Sequence, residues 1–110
     1  MAEAIVNTTP SQWKAISAGV HAIYYIPPNT FHALDEINVL TKDLHSKQLT
    51  PKLIHETDYI IILDKTIRLA TNKPTLHWDV HDPYRESLEL FREVRDELRR
   101  RIHQFLLKNE

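Results

Sequence analysis

Tyr59-Ile60-Ile61-Ile62-Leu63 is an unbroken run of large apolar residues in which apolar and polar side chains do not alternate. Such a run is typical of a strand that helices cover on both faces, as in a parallel sheet. We therefore expect a central strand at this point. Short strand-like runs and helical patterns alternate on both sides of it, which indicates βαβ units and an α/β fold with a small parallel sheet.

The chain before this run predicts helices and one further strand. Ala2–Asn7 is expected to form a short helix, and Trp13–Val20 a strand that ends near Gly19, the only glycine. Pro27-Pro28 can begin a second helix, since proline suits the first helical turn. Apolar residues at three-residue steps extend that helix to about Ile37.

Two residue patterns mark further helix boundaries. Asn38 is expected to end the second helix in the left-handed conformation, which asparagine adopts more readily than most residues with a side chain. Thr50-Pro51 combines an N-cap residue with a proline and predicts a third helix that ends at about His55.

The chain after the apolar run predicts a short helix at about 65–70, a strand at Thr75–Val80 and then the longest helix. This last helix follows Asp82-Pro83, and an aspartate before a proline is an effective helix start. An apolar stripe at steps of three and four residues runs along it and should pack on a sheet. The stripe contains Leu88, Phe91, Val94 or Arg95, Leu98, Ile102 and Phe105.

Composition restricts the function more than the fold. The 110 residues suffice for one domain and are too few for two. A net charge of -1 gives no sign of a nucleic-acid partner. No apolar run approaches the ~20 residues that cross a bilayer, so we expect no membrane contact and a cytoplasmic location. The chain contains no cysteine, which excludes a cysteine nucleophile, a disulfide or a thiolate metal ligand within these residues.

Two clusters of charged or metal-ligating residues have alternative interpretations. His77, Asp79 and His81 alternate along one strand face and could converge on a divalent ion, but no fourth ligand is evident, so we expect neither a metal nor another cofactor. Arg99-Arg100-Arg101 is the only basic cluster. It is expected to form solvated turns of the long helix, with a phosphate or nucleic-acid contact as the alternative.

Five segments match a known pattern in their order and spacing: Ser17-Ala18-Gly19, Glu36–Thr50, Asp58-Tyr59-Ile60, His77–Tyr84 and Phe91–Leu98. Together they resemble the low-molecular-weight protein tyrosine phosphatase family, including its arsenate reductase branch. The second segment is similar to the family pattern E-I-G-I-x-I-x-G-H-x-S-K-Q-L-T, and the fourth to the loop with the catalytic acid. The resemblance covers nearly the whole chain and implies a three-layer αβα fold.

The start of the chain departs from that family. Family members begin with a strand and a loop C-x-x-x-x-x-R before a helix that often reads x-M-A-E-A, whereas this sequence opens with Met1-Ala2-Glu3-Ala4. The resemblance implies a single truncated domain, residues 1–110, without the first, central strand and the phosphate loop. The gap that the missing strand leaves in the sheet would be closed in one of three ways. The neighbouring strands could pair directly, a second copy could fill the gap in a dimer or larger homo-oligomer, or a strand-donating protein partner could do so.

The resemblance also implies roles for three residues. Asp82 takes the position of the general acid, Tyr84 flanks the substrate, and Ser17 belongs to the substrate site through a network behind the phosphate loop. The residues alone explain Asp82 equally well as a helix start, and the two interpretations are compatible. Leu44 stands where the family has a histidine of that network, a departure that favours a non-catalytic scaffold.

Three functions remain as alternatives. The first is a non-catalytic or truncated phosphatase-like domain, inactive because the cysteine nucleophile and the phosphate-binding arginine are absent, so we lean against an enzyme. The second is the C-terminal portion of an active cysteine-dependent tyrosine phosphatase or arsenate reductase whose start is misassigned to an internal methionine. The third is a regulatory module that binds a partner through an open sheet edge.

Overall fold

Four helices and two strands lie in the part of the chain that the computed structural model describes, residues 1–22 and 24–109. The helices are α1 (Ala2–Thr8), α2 (Pro28–Asp35), α3 (Pro51–His55) and α4 (Leu88–Lys108), and the strands are β1 (Ile60–Ile62) and β2 (Thr75–His77). The two strands pair in parallel, with Ile61 opposite Leu76. The expected α/β fold with a small parallel sheet is confirmed.

Local sequence signals explain where the helices begin and end. Pro28 lies in the first turn of α2, and Asn38 follows that helix with a φ of 60°, the left-handed conformation expected of it. The Thr50 side chain accepts a hydrogen bond of 3.3 Å from the backbone N–H of Leu53 and so caps α3, as predicted.

Helix α4 packs against α1 and α2, and the three helices form the core. Leu34 of α2 is 0% exposed and Ile5 of α1 is also buried, both against this helix. The buried residues of α4 follow the predicted stripe, with Leu106 in place of the half-buried Phe105: Phe91, Val94, Arg95, Leu98, Ile102 and Leu106. Within the described residues, no helix is long and apolar enough to cross a bilayer.

An aromatic cluster joins the C-terminal half of α4 to the sheet. Phe105 makes edge-to-face contacts with Trp13, Tyr59 and Trp78, at centroid distances of 5.4, 5.1 and 6.5 Å. The indole N–H of Trp13 donates a 2.9 Å hydrogen bond to the backbone oxygen of Asn109. Both tryptophans are partly buried and pack against the core.

The prediction of a strand at Trp13–Val20 is wrong. Gly19 forms an isolated parallel bridge with Gln48, but no residue of this segment belongs to the two-stranded sheet. A strand needs a neighbouring backbone as its partner, and side chains of α1 take that place here, as described below. Direct pairing of this segment with β1, one of the three expected ways to close the sheet, is therefore not observed among the described residues.

The prediction of a helix at 65–70 is also wrong. The Asp64 carboxylate accepts hydrogen bonds from the backbone N–H and the hydroxyl of Thr66, at 2.8 and 2.6 Å, and these bonds lower the pKa of Asp64. Such a side-chain turn competes with helix formation for the same backbone groups. The segment consequently forms a turn and irregular chain.

An ion-pair network fixes the end of α2 on α4. Arg92 binds the Glu36 carboxylate with two side-chain nitrogens at 2.6 to 3.0 Å, and Arg95 donates to Glu36 at 2.8 Å and to the carbonyl oxygen of Ala33 at 2.9 Å. Hydrogen bonds from Arg92 and then Arg95 lower the pKa of Glu36 to about 2. Arg95 is buried, and these bonds satisfy its charge.

Glu36→Gln is expected to lower the free energy of unfolding at neutral pH, because it removes the charge that both arginines bind. Since the pKa of Glu36 is depressed from 4.5 to about 2 in the folded chain, the carboxylate stabilises the fold above pH 4.5 and progressively loses this effect as the pH falls toward 2. Urea unfolding of both proteins across this range measures the difference, which should shrink with falling pH.

Glu93→Gln is the matched control, because Glu93 is an exposed residue of the same helix. Its effect on unfolding should be small at every pH. A Glu36→Gln effect that is equally large at pH 2 and pH 7 would contradict a stabilising role for the Glu36 charge.

Candidate functional site

Ser17 lies beside the first turn of α1, where the Glu3 carboxylate collects three hydrogen-bond donors on one oxygen. Glu3 Oε1 accepts from the Ser17 backbone N–H at 2.7 Å, from the Ser17 hydroxyl at 3.0 Å and from Lys47 Nζ at 3.3 Å. The side chains of Glu3 and Lys47 are only 12% and 22% exposed. We call these three residues the Glu3 cluster.

A second side chain of α1 extends this arrangement along the chain. Asn7 lies four residues after Glu3 and therefore on the same helix face. Its amide accepts from the Ala15 backbone N–H at 2.7 Å and donates to the Ala15 carbonyl oxygen at 2.9 Å. Glu3 and Asn7 thus form hydrogen bonds with the backbone of Ser17 and Ala15, on one edge of the 13–18 segment, as a neighbouring strand would do.

Residues 46–48 hold the loop that follows Gly19. The Gln48 side-chain amide accepts from the Ala22 backbone N–H at 3.0 Å and donates to the Val20 carbonyl oxygen, and the Ser46 hydroxyl accepts from the Tyr24 backbone N–H at 3.1 Å. These hydrogen-bonding roles of Ser46 and Gln48 were not predicted from the sequence. The signal was present in the S-K-Q run, which was used only to recognise the family pattern.

Asp82 does not cap α4, which corrects the helix-start interpretation of this residue. Its carboxylate accepts a 3.0 Å hydrogen bond from the backbone N–H of Tyr84, while the Ser87 side chain caps α4 by accepting from Leu90 N at 3.3 Å. Pro83 is buried and its carbonyl oxygen accepts from Glu86 N at 2.8 Å. Asp82 therefore lies in a tight turn, five residues before the helix cap.

The turn presents Tyr84 and charged groups at the surface. The Tyr84 ring is 38% exposed, and the guanidinium carbon of Arg85 lies 5.4 Å from its centroid, which is within cation–π range. His81 Nε2 lies 3.2 Å from Glu86 Oε1. Asp82 is exposed, so its carboxylate is accessible to a ligand. We call residues 81–86 the Asp82 loop.

The three site residues predicted from the sequence fall into two separate groups. Ser17 belongs to the Glu3 cluster, and Asp82 and Tyr84 to the Asp82 loop. Among the described residues, no hydrogen bond or ion pair joins one group to the other. The protein thus positions each group, but residues 1–22 and 24–109 supply no direct bridge between them.

The candidate metal ligands are exposed, and so is the basic cluster except for the half-buried Arg101. His77, Asp79 and His81 do not gather into a group of three or more ligating side chains, and no other such group exists in the described part of the chain. Arg100 and Arg101 donate hydrogen bonds to Glu97 on their own helix and lower its pKa. The Arg99–Arg101 cluster therefore lies on α4, two turns before its end, and is partly neutralised there.

The family model for low molecular weight phosphotyrosine protein phosphatases matches residues 1–110, the whole sequence. The chain belongs to this family. The resemblance found in the sequence is thereby confirmed at the level of the family.

Similar proteins and solved structures include arsenate reductases and a tyrosine phosphatase. The arsenate reductase of Halalkalibacterium halodurans is 30% identical over 105 residues, which cover 86% of this chain and 75% of that protein. The tyrosine phosphatase Wzb from Escherichia coli K30, solved in complex with sulphate, has a TM-score of 0.87 at 20% identity, covering 99% of this chain and 87% of its own. An arsenate reductase from Archaeoglobus fulgidus gives 0.82 at 24%, over 96% and 86%. The structures share the fold.

Proposed function

We propose that this chain is a non-catalytic member of the low-molecular-weight phosphatase and arsenate reductase family, without phosphatase activity in its 110 residues. One observation carries the proposal: the sequence contains no cysteine. The reaction that the family resemblance implies needs a thiolate to attack phosphorus, and the thiolate is the reactive form of cysteine. A thiol for such chemistry would have to come from residues outside this sequence.

The Asp82 loop supports the view that a framework for the reaction is retained. We propose that Asp82 occupies the general-acid position and that Tyr84 flanks the place of a substrate. An acid alone contributes little, because general acid catalysis acts on a leaving group that another group is already displacing. With no cysteine nucleophile in the chain, Asp82 has no displacement of that kind to assist.

The Glu3 cluster also supports a non-catalytic role. We propose Ser17 as a remnant of the substrate site. Its backbone N–H and its hydroxyl both donate to Glu3, so in this conformation neither is directed at a substrate. Reduction of arsenate through successive cysteines is excluded for these 110 residues on the same compositional ground. The cytoplasmic location remains a prediction.

The 110-residue chain is expected to hydrolyse p-nitrophenyl phosphate, a phosphotyrosine mimic, no faster than buffer alone. Asp82→Asn should give the same result, because the acid assists no displacement. The release of nitrophenolate measures the rate, and Asp79→Asn, purified identically, controls for contaminating phosphatases. Turnover that Asp82→Asn lowers and Asp79→Asn preserves would overturn the proposal of inactivity.

A second candidate function, binding through a sheet edge, is favoured by the geometry of β1. Ile60 N–H donates to the Pro74 carbonyl oxygen and the Ile62 carbonyl oxygen accepts from Trp78 N–H, both at 2.9 Å. Since backbone groups alternate between the two edges of a strand, those of Ile61 point away from β2. They have no backbone partner among the described residues. A second copy, or a strand from another protein, could pair there.

On this second proposal, the chain should self-associate at micromolar concentration, as measured by sedimentation velocity. Ile61→Pro should reduce association, because proline removes the N–H that points away from β2 while Ile60 and Ile62 keep their bonds to it. Ile61→Val, which keeps the N–H, is the control. Association that is unaffected by Ile61→Pro in a folded chain, or a monomer at every concentration, would contradict pairing of two copies at this edge.

A further inference from the structure

The Glu3 cluster combines donors that proteins use to bind oxyanions. A backbone N–H, a hydroxyl and an ammonium group converge on a single oxygen, Glu3 Oε1, at 2.7, 3.0 and 3.3 Å. Hydrogen bonds to an ionised acceptor are about twice as strong as those between neutral groups. A carboxylate oxygen and an oxygen of phosphate, arsenate or sulfate can both accept hydrogen bonds from these donors.

The cluster is open to solvent on the side of Ser17. Ser17 is an exposed residue, and the Lys47 side chain keeps 22% of its surface exposed. Without the Glu3 carboxylate, the remaining groups would be one positive charge and two donors, with no acceptor in their centre. An anionic ligand matches such a set best, because the ammonium group is positively charged and neither it nor the backbone N–H can accept a hydrogen bond.

We propose that Ser17 and Lys47 form an oxyanion-binding site that the chain's own Glu3 carboxylate occupies. The ligand class is a tetrahedral oxyanion, such as inorganic phosphate, arsenate or sulfate. In the native chain Glu3 competes with the ligand from within the same molecule, which keeps affinity for free anions low. The inference concerns binding alone and does not depend on whether the chain is catalytic.

Titration of the Ser17 backbone amide by NMR tests this site directly. Sodium phosphate is added at constant ionic strength to the native chain, to Glu3→Ala and to Glu3→Ala combined with Lys47→Met. Glu3→Ala should show a saturable shift of the Ser17 amide and bind phosphate about ten-fold more tightly than the native chain, the effect of about 1.4 kcal/mol of released interaction. The added Lys47→Met should abolish that gain.

The controls separate a site from a general charge effect. Glu93→Ala changes the net charge by the same amount on an exposed face of α4 and should leave the Ser17 amide unresponsive. Arsenate and sulfate should act like phosphate, and chloride should not. A folded Glu3→Ala chain without a saturable shift, or with the same shift after Lys47→Met, would overturn the proposal.

A chain destabilised by Glu3→Ala is still informative. Glu3→Gln keeps the side-chain size and removes only the charge, so it should bind phosphate more tightly than the native chain if it folds. If neither variant folds, Glu3 is a structural anchor of α1 and the proposal of a ligand site is overturned. The dispersion of the amide spectrum distinguishes a folded chain from an unfolded one.

Discussion

The packing of α4 against α1 and α2 is the interaction on which the rest of the structure depends. Its apolar stripe supplies half of the buried core cluster, and Leu34 and Ile5 bury their side chains against it. Because α1 is only seven residues long, it would have little stability of its own. Once α4 fixes it, Glu3 and Asn7 can reach the backbone of residues 15 and 17, and the Glu3 cluster forms.

This chain has the fold of its family but contains no cysteine. The sequence model matches over all 110 residues and the fold agrees with solved phosphatases and arsenate reductases, yet no residue can supply a thiolate. A fold positions chemical groups but does not imply them. The proposed function follows from this difference between the shared fold and a sequence without cysteine.

Strong local signals could be predicted from the sequence, and contacts between distant residues could not. The α4 stripe, the Thr50 cap and the left-handed Asn38 depend on neighbouring residues, and all three were found. On one edge of the Trp13–Val20 segment, backbone N–H groups donate hydrogen bonds to the side chains of Glu3 and Asn7. No local sequence pattern predicts these contacts. Asp82 and Ser87 are both good capping residues, and only the structure shows that Ser87 caps the helix. Likewise, the contact between Ser17 and Glu3 was not predicted from the sequence.

The most direct test of the central claim is the intact mass of the chain after brief incubation with a tyrosine-phosphorylated peptide and a denaturing quench at neutral pH, which spares acid-labile phosphohistidine. A catalyst that works through a covalent intermediate retains a phosphoryl group on its nucleophile, and trapping that group requires no assumption about which residue holds it. We expect only the unmodified mass. A phosphoryl adduct mapped to a side chain of this sequence would show that the chain contains a nucleophile after all.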